Sequence, residues 1–280
     1  MAPVRRDTRG IVDAAELFTQ VDFRRVEPAE PLRRYVEQYW LIDWDLSEPY
    51  VSHVVPHPAV NIVFQRFAGQ EPFVEVAGVQ HGLFAQKLEG RGRVCGVKFR
   101  PGGYRPFAPE HPVTRWTGRR IRSPEVFPDT DPTTVLGPDD DAARVAALDA
   151  FLLALDPRPD PQADLATALV ERIGADRSIR RVTDFARAEG MSVRLLQRLF
   201  AGYVGVGPKW VVLRHRIHEA LERAEAEAAV DWAALAADLG YADQAHLVRD
   251  FTATVGAPPT AYCAAYSAAS SPAASRSGTR

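Results

Sequence analysis

The sequence predicts an α+β protein: an N-terminal β-rich barrel or sandwich domain, a helical connector, and a C-terminal all-α domain with two helix-turn-helix motifs. Three observations carry this. Residues 21–121 hold short β-favouring runs split by Gly and Pro, the pattern of strands and turns. From residue 142 onward apolar residues recur every three or four positions, the period of a helix. Residues 182–203 and 232–255 also repeat one another. Gly190 and Gly240 stand at their turns, with Ala186 and Ala236 four residues earlier. Past the turn the offset grows by one, pairing Leu196 with Leu247, Arg198 with Arg249, Phe200 with Phe251, Gly205 with Gly256 and Pro208 with Pro259. A period of about fifty residues would make a solenoid if it ran on. It occurs twice and stops, which fits one bihelical domain.

The chain has 280 residues, 46% apolar, and a net charge of −2 that gives no hint of nucleic acid. Its two cysteines, Cys95 and Cys263, are too few for a disulfide scaffold and point to a reducing compartment. No apolar signal run or membrane span is visible, so a cytoplasmic protein without a membrane partner is expected. Residues 1–20 read as a flexible leader.

Residues 21–121 read as a sensor domain. A short helix begins at Pro31. Strands are expected through RYVEQYWLIDWDL, VSHVVPHPAVNIVFQRF, FVEVAGVQ, LFAQKLEG and RVCGVKFRPGGYRPF. Val94, Gly96 and Lys98 alternate with Cys95, Val97 and Phe99, as a strand requires. Tyr39, Trp40, Trp44, Phe64, Phe99 and Tyr104 are the candidates for a ligand pocket; the same aromatics also suit the filling of a small β core. Arg100 and Arg105, around Pro-Gly-Gly, fit an anion-binding turn or a plain surface turn. Pro56 and Pro58 exclude a helical metal pair at His53 and His57, and no cysteine cluster supports zinc. No metal, cofactor or catalytic residue is expected. Cys95 lies in an apolar strand, and neither a glycine-rich nucleotide loop nor a nucleophile elbow occurs.

Residues 122–141, dense in Pro, Asp and Thr, read as a linker. A helical connector over 142–174 follows, with Val145, Leu148, Phe151, Leu152 and Leu155 on its first apolar face. Residues 175–266 are the double helix-turn-helix, and 267–280 a low-complexity, disordered tail.

In the first half Ile179, Val182, Phe185 and Ala186 form one face. Ser192 caps the next helix, which turns Leu195, Leu196, Leu199 and Phe200 inward and Arg194, Gln197 and Arg198 outward. Arginine reads guanine edges and glutamine adenine, and both also grip phosphate. The same residues would serve as the solvated face of an amphipathic helix. A long helix follows over 209–226, with Lys209, Arg214 and Arg216 basic and an acidic end. In the second half Asp231 and Asp243 are caps and Gln244, His246 and Arg249 the outward candidates, His246 equally fitting a rim position. From 177 to 216 nine basic residues face two acidic, net +7; from 219 to 250 two basic face eight acidic, net −6. A basic stretch attracts the phosphate backbone and an acidic one repels it, so the first half is the expected anchor, with Arg180, Arg181 and Lys209 on phosphates.

The segments MSVRLLQRLFAGYVGVGPKWVVLRHRIHEA and WAALAADLGYADQAHLVRDFTATVGAPPTAYC resemble the DNA-binding domain of the AraC/XylS family of transcription regulators. The likeness includes Ala186, Leu196, Arg198, Phe200, Gly205 and Pro208, then Ala236, Gly240, Tyr241, Phe251, Gly256, Pro259 and Tyr262. It departs at Leu247, usually aromatic, and Thr252, usually basic. HVVPHPAVNIVF and GVKFRPGGYRPF resemble the sensor-like domain ahead of some such readers. The resemblance implies double-stranded DNA as partner, read by 192–203 and 243–255 in successive major grooves. A small-molecule effector, contact with RNA polymerase and a homodimer stay open. So do two rival functions: a protein-interaction module with degenerate DNA-binding halves, and a small-molecule enzyme fused to a DNA-binding domain.

Overall fold

The computed structural model describes residues 10–227 and 229–270. One antiparallel seven-stranded sheet forms the N-terminal domain. Its strands are β1 (Ile11–Val12), β2 (Asp22–Val26), β3 (Val36–Val54), β4 (Asn61–Arg66), β5 (Phe73–Ala77), β6 (Phe84–Phe99) and β7 (Arg120–Arg122). The order is β1-β3-β6-β4-β5-β7, with β2 also on β3. Period-two alternation sorts the side chains between two faces. Tyr39, Leu41, Ile62, Phe64, Cys95, Val97 and Phe99 go to one core. Trp40, Ile42, Trp44, Val63 and Val94 go to the other face. Burial pushes the Cys95 thiol up to about 11, so it packs as a small apolar group.

Two expectations are corrected here. The leader is folded from residue 10: β1 pairs with the end of β3, and α1 (Ala14–Gln20) buries Ala14 and Leu17 against the second face. The segment 122–141 is part of the domain core and no extended linker. It contributes Phe127, Val135 and Leu136 to the first core, the last two from α2 (Pro132–Leu136). An ion network clamps it down. Arg93 donates to the carbonyls of Leu136 (3.0 Å) and Pro138 (2.7 Å) and to Asp43 (2.5 Å). Arg144 of α3 (Asp141–Ala154) and Arg24 also donate to Asp43. Burial alone would raise the Asp43 pKa, but its bonds from Arg144, Arg24 and Arg93 outweigh that and hold it at about 2.

The connector helices divide between domains. Leu148 and Leu152 of α3 complete the sheet core. Ala166, Leu169, Val170 and Ile173 of α4 (Pro161–Ala175) join the core of the first helix-turn-helix. That half is α5 (Val182–Ala188) and α6 (Val193–Tyr203); α7 (Pro208–Ala226) spans the domain; the second half is α8 (Trp232–Asp238) and α9 (Gln244–Val255), followed by α10 (Pro259–Ser270). Residues 267–270, expected in a disordered tail, lie in α10; 271–280 lie outside the described residues. Both turns use glycine in the left-handed region, Gly190 at φ 65° and Gly240 at φ 74°, where a Cβ would be strained. Among the described residues no helix is long and apolar enough to cross a membrane.

Candidate nucleic-acid interface and a cavity behind the sheet

Helix α6 is short and amphipathic. Ser192 caps it, its side chain accepting from Leu195 N at 3.2 Å. Leu196, Leu199 and Phe200 anchor it in the core, while Arg194, Gln197 and Arg198 all face solvent. Leu195, expected inside, is 40% exposed. Arg180, Arg181 and Lys209 are exposed too, with the Arg180 side chain lying against Gly240 in the turn of the second half. Two other basic residues of α7, Arg214 and Arg216, are turned inward. Arg214 is 5% exposed, lies over the Trp210 ring at 4.5 Å and donates to the His81 carbonyl at 2.8 Å. Its Nη1 has no partner, and burial pulls the guanidinium down to about 10. Arg216 bridges the two halves, at 3.5 Å from the carbonyls of both Gly240 and Ile179.

Helix α9 has the same frame with less to offer DNA. Asp243 caps it through His246 N at 2.7 Å. Gln244 and Arg249 are exposed. His246 is half-buried, its ring 5.2 Å from that of Tyr241 and its Nε2 3.8 Å from Asp250. Aligned by their caps, the positions of Arg194 and Gln197 are taken by Ala245 and Val248.

The six aromatic pocket candidates separate. Tyr39, Phe64, Phe99 and Tyr104 fill the first core, away from the cavity on the opposite face. Only Trp40 and Trp44 line the cavity of about 230 Å³ on the opposite face. Its floor is a cross-strand pattern: Trp40 opposes Gly96 and Trp44 opposes Gly92. A Cβ on Gly96 would stand 1.9 Å from Trp40 Cε2, and one on Gly92 1.9 Å from Trp44 Cζ2. Both indoles therefore lie flat on β6 where a side chain would lift them. The walls add Ile11 and Leu17 from the supposed leader, Phe23, Ile42, Val63 and Phe67, with polar Gln38, Asn61 and Gln86. Of the cationic lining residues, Lys98 and Arg120 are paired with Glu37 and Glu75, and Arg25 lies over the Phe23 ring at 5.2 Å. Arg100 and Arg105 do not make an open anion turn. Arg100 donates to the Arg33 carbonyl and to Glu171, and Arg105 to the His111 carbonyl.

The cavity wall reaches the helical domain. His57 lines the cavity, and its ring stacks on His218 of α7 at 4.2 Å and 14°. His218 Nε2 lies 3.2 Å from the Pro56 carbonyl oxygen. The neighbouring Val55 is built into the core of the second half, beside Ile217, Leu221 and Leu247. The sequence holds a signal for the floor, Trp-x-x-x-Trp at 40 and 44 with Gly-x-x-x-Gly at 92 and 96, but nothing in it marks His57 against His218.

Two family models match the chain. Residues 185–265 match one described as "Helix-turn-helix domain", and residues 24–122 one described as "Domain of unknown function (DUF6597)". No curated protein matches the chain. Among solved structures, ToxT from Vibrio cholerae aligns at 10% identity over 81% of this chain and 97% of that one, TM-score 0.42. ToxT from strain SCE256, described as bound to unsaturated fatty acid, aligns at 11% identity over 80% and 94%, TM-score 0.43.

Proposed function

We propose that the chain is a DNA-binding transcription regulator of the AraC type, reading DNA through its helix-turn-helix domain, and that a small molecule in the sheet cavity sets its grip on DNA. The observation that supports this is His57, one face of which lines the cavity while its ring stacks on α7, the helix spanning both readers. An occupant that moves His57 shifts α7 and with it the relative setting of α6 and α9. A ligand biases an equilibrium only through contacts that differ between two states, and this stack is such a contact.

The lining selects the ligand. At about 230 Å³ the cavity exceeds the ~150 Å³ that admits benzene in an apolar site. Two indoles face it flat, with amide side chains at hand, Lys98 and Arg120 ion-paired and Arg25 laid over the Phe23 ring. The occupant is a flat, mostly apolar molecule with neutral hydrogen-bonding groups.

On DNA, Arg194, Gln197 and Arg198 contact bases or phosphates, Ser192 positions their helix, and Arg180, Arg181 and Lys209 hold phosphates. Gln244, Arg249 and the half-buried His246 contribute less. The protein works in the cytoplasm on chromosomal DNA. Its acidic second half suits a protein face such as RNA polymerase, and a homodimer would double the readers. The test is selection of duplexes by the full-length protein, then binding to the selected duplex with and without the small-molecule fraction of cell extract. The fraction should shift wild-type affinity and leave Gly96→Val, whose side chain displaces Trp40, unmoved. An equal shift in both would place the effector elsewhere, and no shift in either would remove the effector from the account.

A further inference from the structure

We infer that Leu195 is a specificity determinant of the first reader, packing on the 5-methyl group of one thymine in the major groove. It is the third residue of α6 and, at 40% exposure, the one large apolar side chain left exposed in 185–265 among the described residues. Its neighbour at i+3 is the exposed Arg198, and at i+4 the buried Leu199. Leu195 therefore stands on the rim between the polar outward face and the core. The N-terminal turns of a helix-turn-helix reader are the part that reaches base edges. A leucine there has no hydrogen bond to give, and the one apolar group on a base edge in that groove is the thymine methyl. The beginning of α6 thus offers two kinds of contact side by side: Arg194 and Arg198 for acceptors, Leu195 for a methyl.

The second half argues that the feature is particular to α6. Aligned by the caps Ser192 and Asp243, the position of Leu195 is held by His246. That ring is turned onto Tyr241 at 5.2 Å. Methyl readout is expected in the first groove alone. The inference rests on α6 entering a major groove, so its test must separate the two claims.

In the duplex selected by the full-length protein, each thymine is replaced singly by deoxyuridine. This removes one methyl group and leaves every hydrogen-bonding atom in place. One position should cost wild type roughly three- to five-fold in affinity, the worth of one buried methyl. Leu195→Ala should bind the thymine and uracil duplexes equally at that position, and Leu195→Met, still apolar, should retain part of the difference. Wild type indifferent to every replacement, or Leu195→Ala keeping the full wild-type difference, would overturn the inference. Arg198→Ala serves as control: if it too leaves affinity for the selected duplex unchanged, α6 is not the reader, and both claims fail together.

Discussion

The caps Ser192 and Asp243 occupy one position of a shared frame, and Arg198 and Arg249 another, yet the two helix-turn-helix halves present different surfaces. On α6 Arg194, Gln197 and Arg198 are exposed. On α9 Ala245 and Val248 replace the first two, and His246 is engaged with Tyr241. Val55 from the sheet domain is part of the core of the second half, with Val12 and Leu83 packed against it. The first half is held as well: Val79 is in its core, Thr117 Oγ1 donates to the Gly205 carbonyl at 2.6 Å, and Arg105 lies over the Tyr203 ring at 5.8 Å. One backbone plan thus carries two surfaces: α6 presents side chains suited to DNA and α9 presents fewer, while both halves pack on the sheet domain.

The largest effect that bears on this contrast is in the cores. Phe200→Ala and Phe251→Ala remove rings with no exposure and should each cost about 3–5 kcal/mol of stability, read by denaturant unfolding. Limited proteolysis separates them. Phe251→Ala should open the chain around Val55 to cleavage and Phe200→Ala the chain around Val79; one and the same cleavage pattern in both would break the contrast. Next comes DNA affinity. Arg198→Ala should lose about 1–3 kcal/mol on the selected duplex, and Arg249→Ala less than about 1 kcal/mol, measured by titration at fixed salt. Arg198 losing affinity equally on all sequences would make it a phosphate contact.

Much of this was legible in the sequence, for local reasons. The caps Ser192, Asp231 and Asp243 are side chains bonding their own neighbours, so a short window contains the whole interaction. The alternation of Val94, Gly96 and Lys98 with Cys95, Val97 and Phe99 is equally local, and the structure sends the two sets to opposite faces. What alternation cannot say is which face holds space. Six aromatics suggested one pocket, but Tyr39 and Trp40 are consecutive and must point opposite ways. The flat lie of Trp40 and Trp44 depends on glycines some fifty residues away, at 96 and 92. Arg214 counted as a surface charge because nothing nearby in sequence reveals the His81 carbonyl that receives it. The segment 10–20 was too short to show a pattern of its own; β3 and the second sheet face order it.

Two smaller effects sharpen the contrast further. His218→Leu removes a ring contact and one polar contact between domains, a loss of about 1 kcal/mol. It should abolish the effector-dependent shift in DNA affinity while leaving effector-free binding near wild type; a retained shift would take the signal off this stack. Ser192→Ala and Asp243→Ala should each cost about 1 kcal/mol in stability. Thermal unfolding would show the two alike, whereas only Ser192→Ala should also weaken DNA binding clearly.

The most direct test of the division of labour is affinity for the selected duplex with each of its two major-groove segments scrambled in turn. The α6 segment is identified as the one whose loss adds nothing in Arg198→Ala. Scrambling it should reduce wild-type binding to the nonspecific level, while scrambling the other should leave most of the specific affinity. Equal losses, or a larger loss from the α9 segment, would contradict the assignment of the first half as anchor.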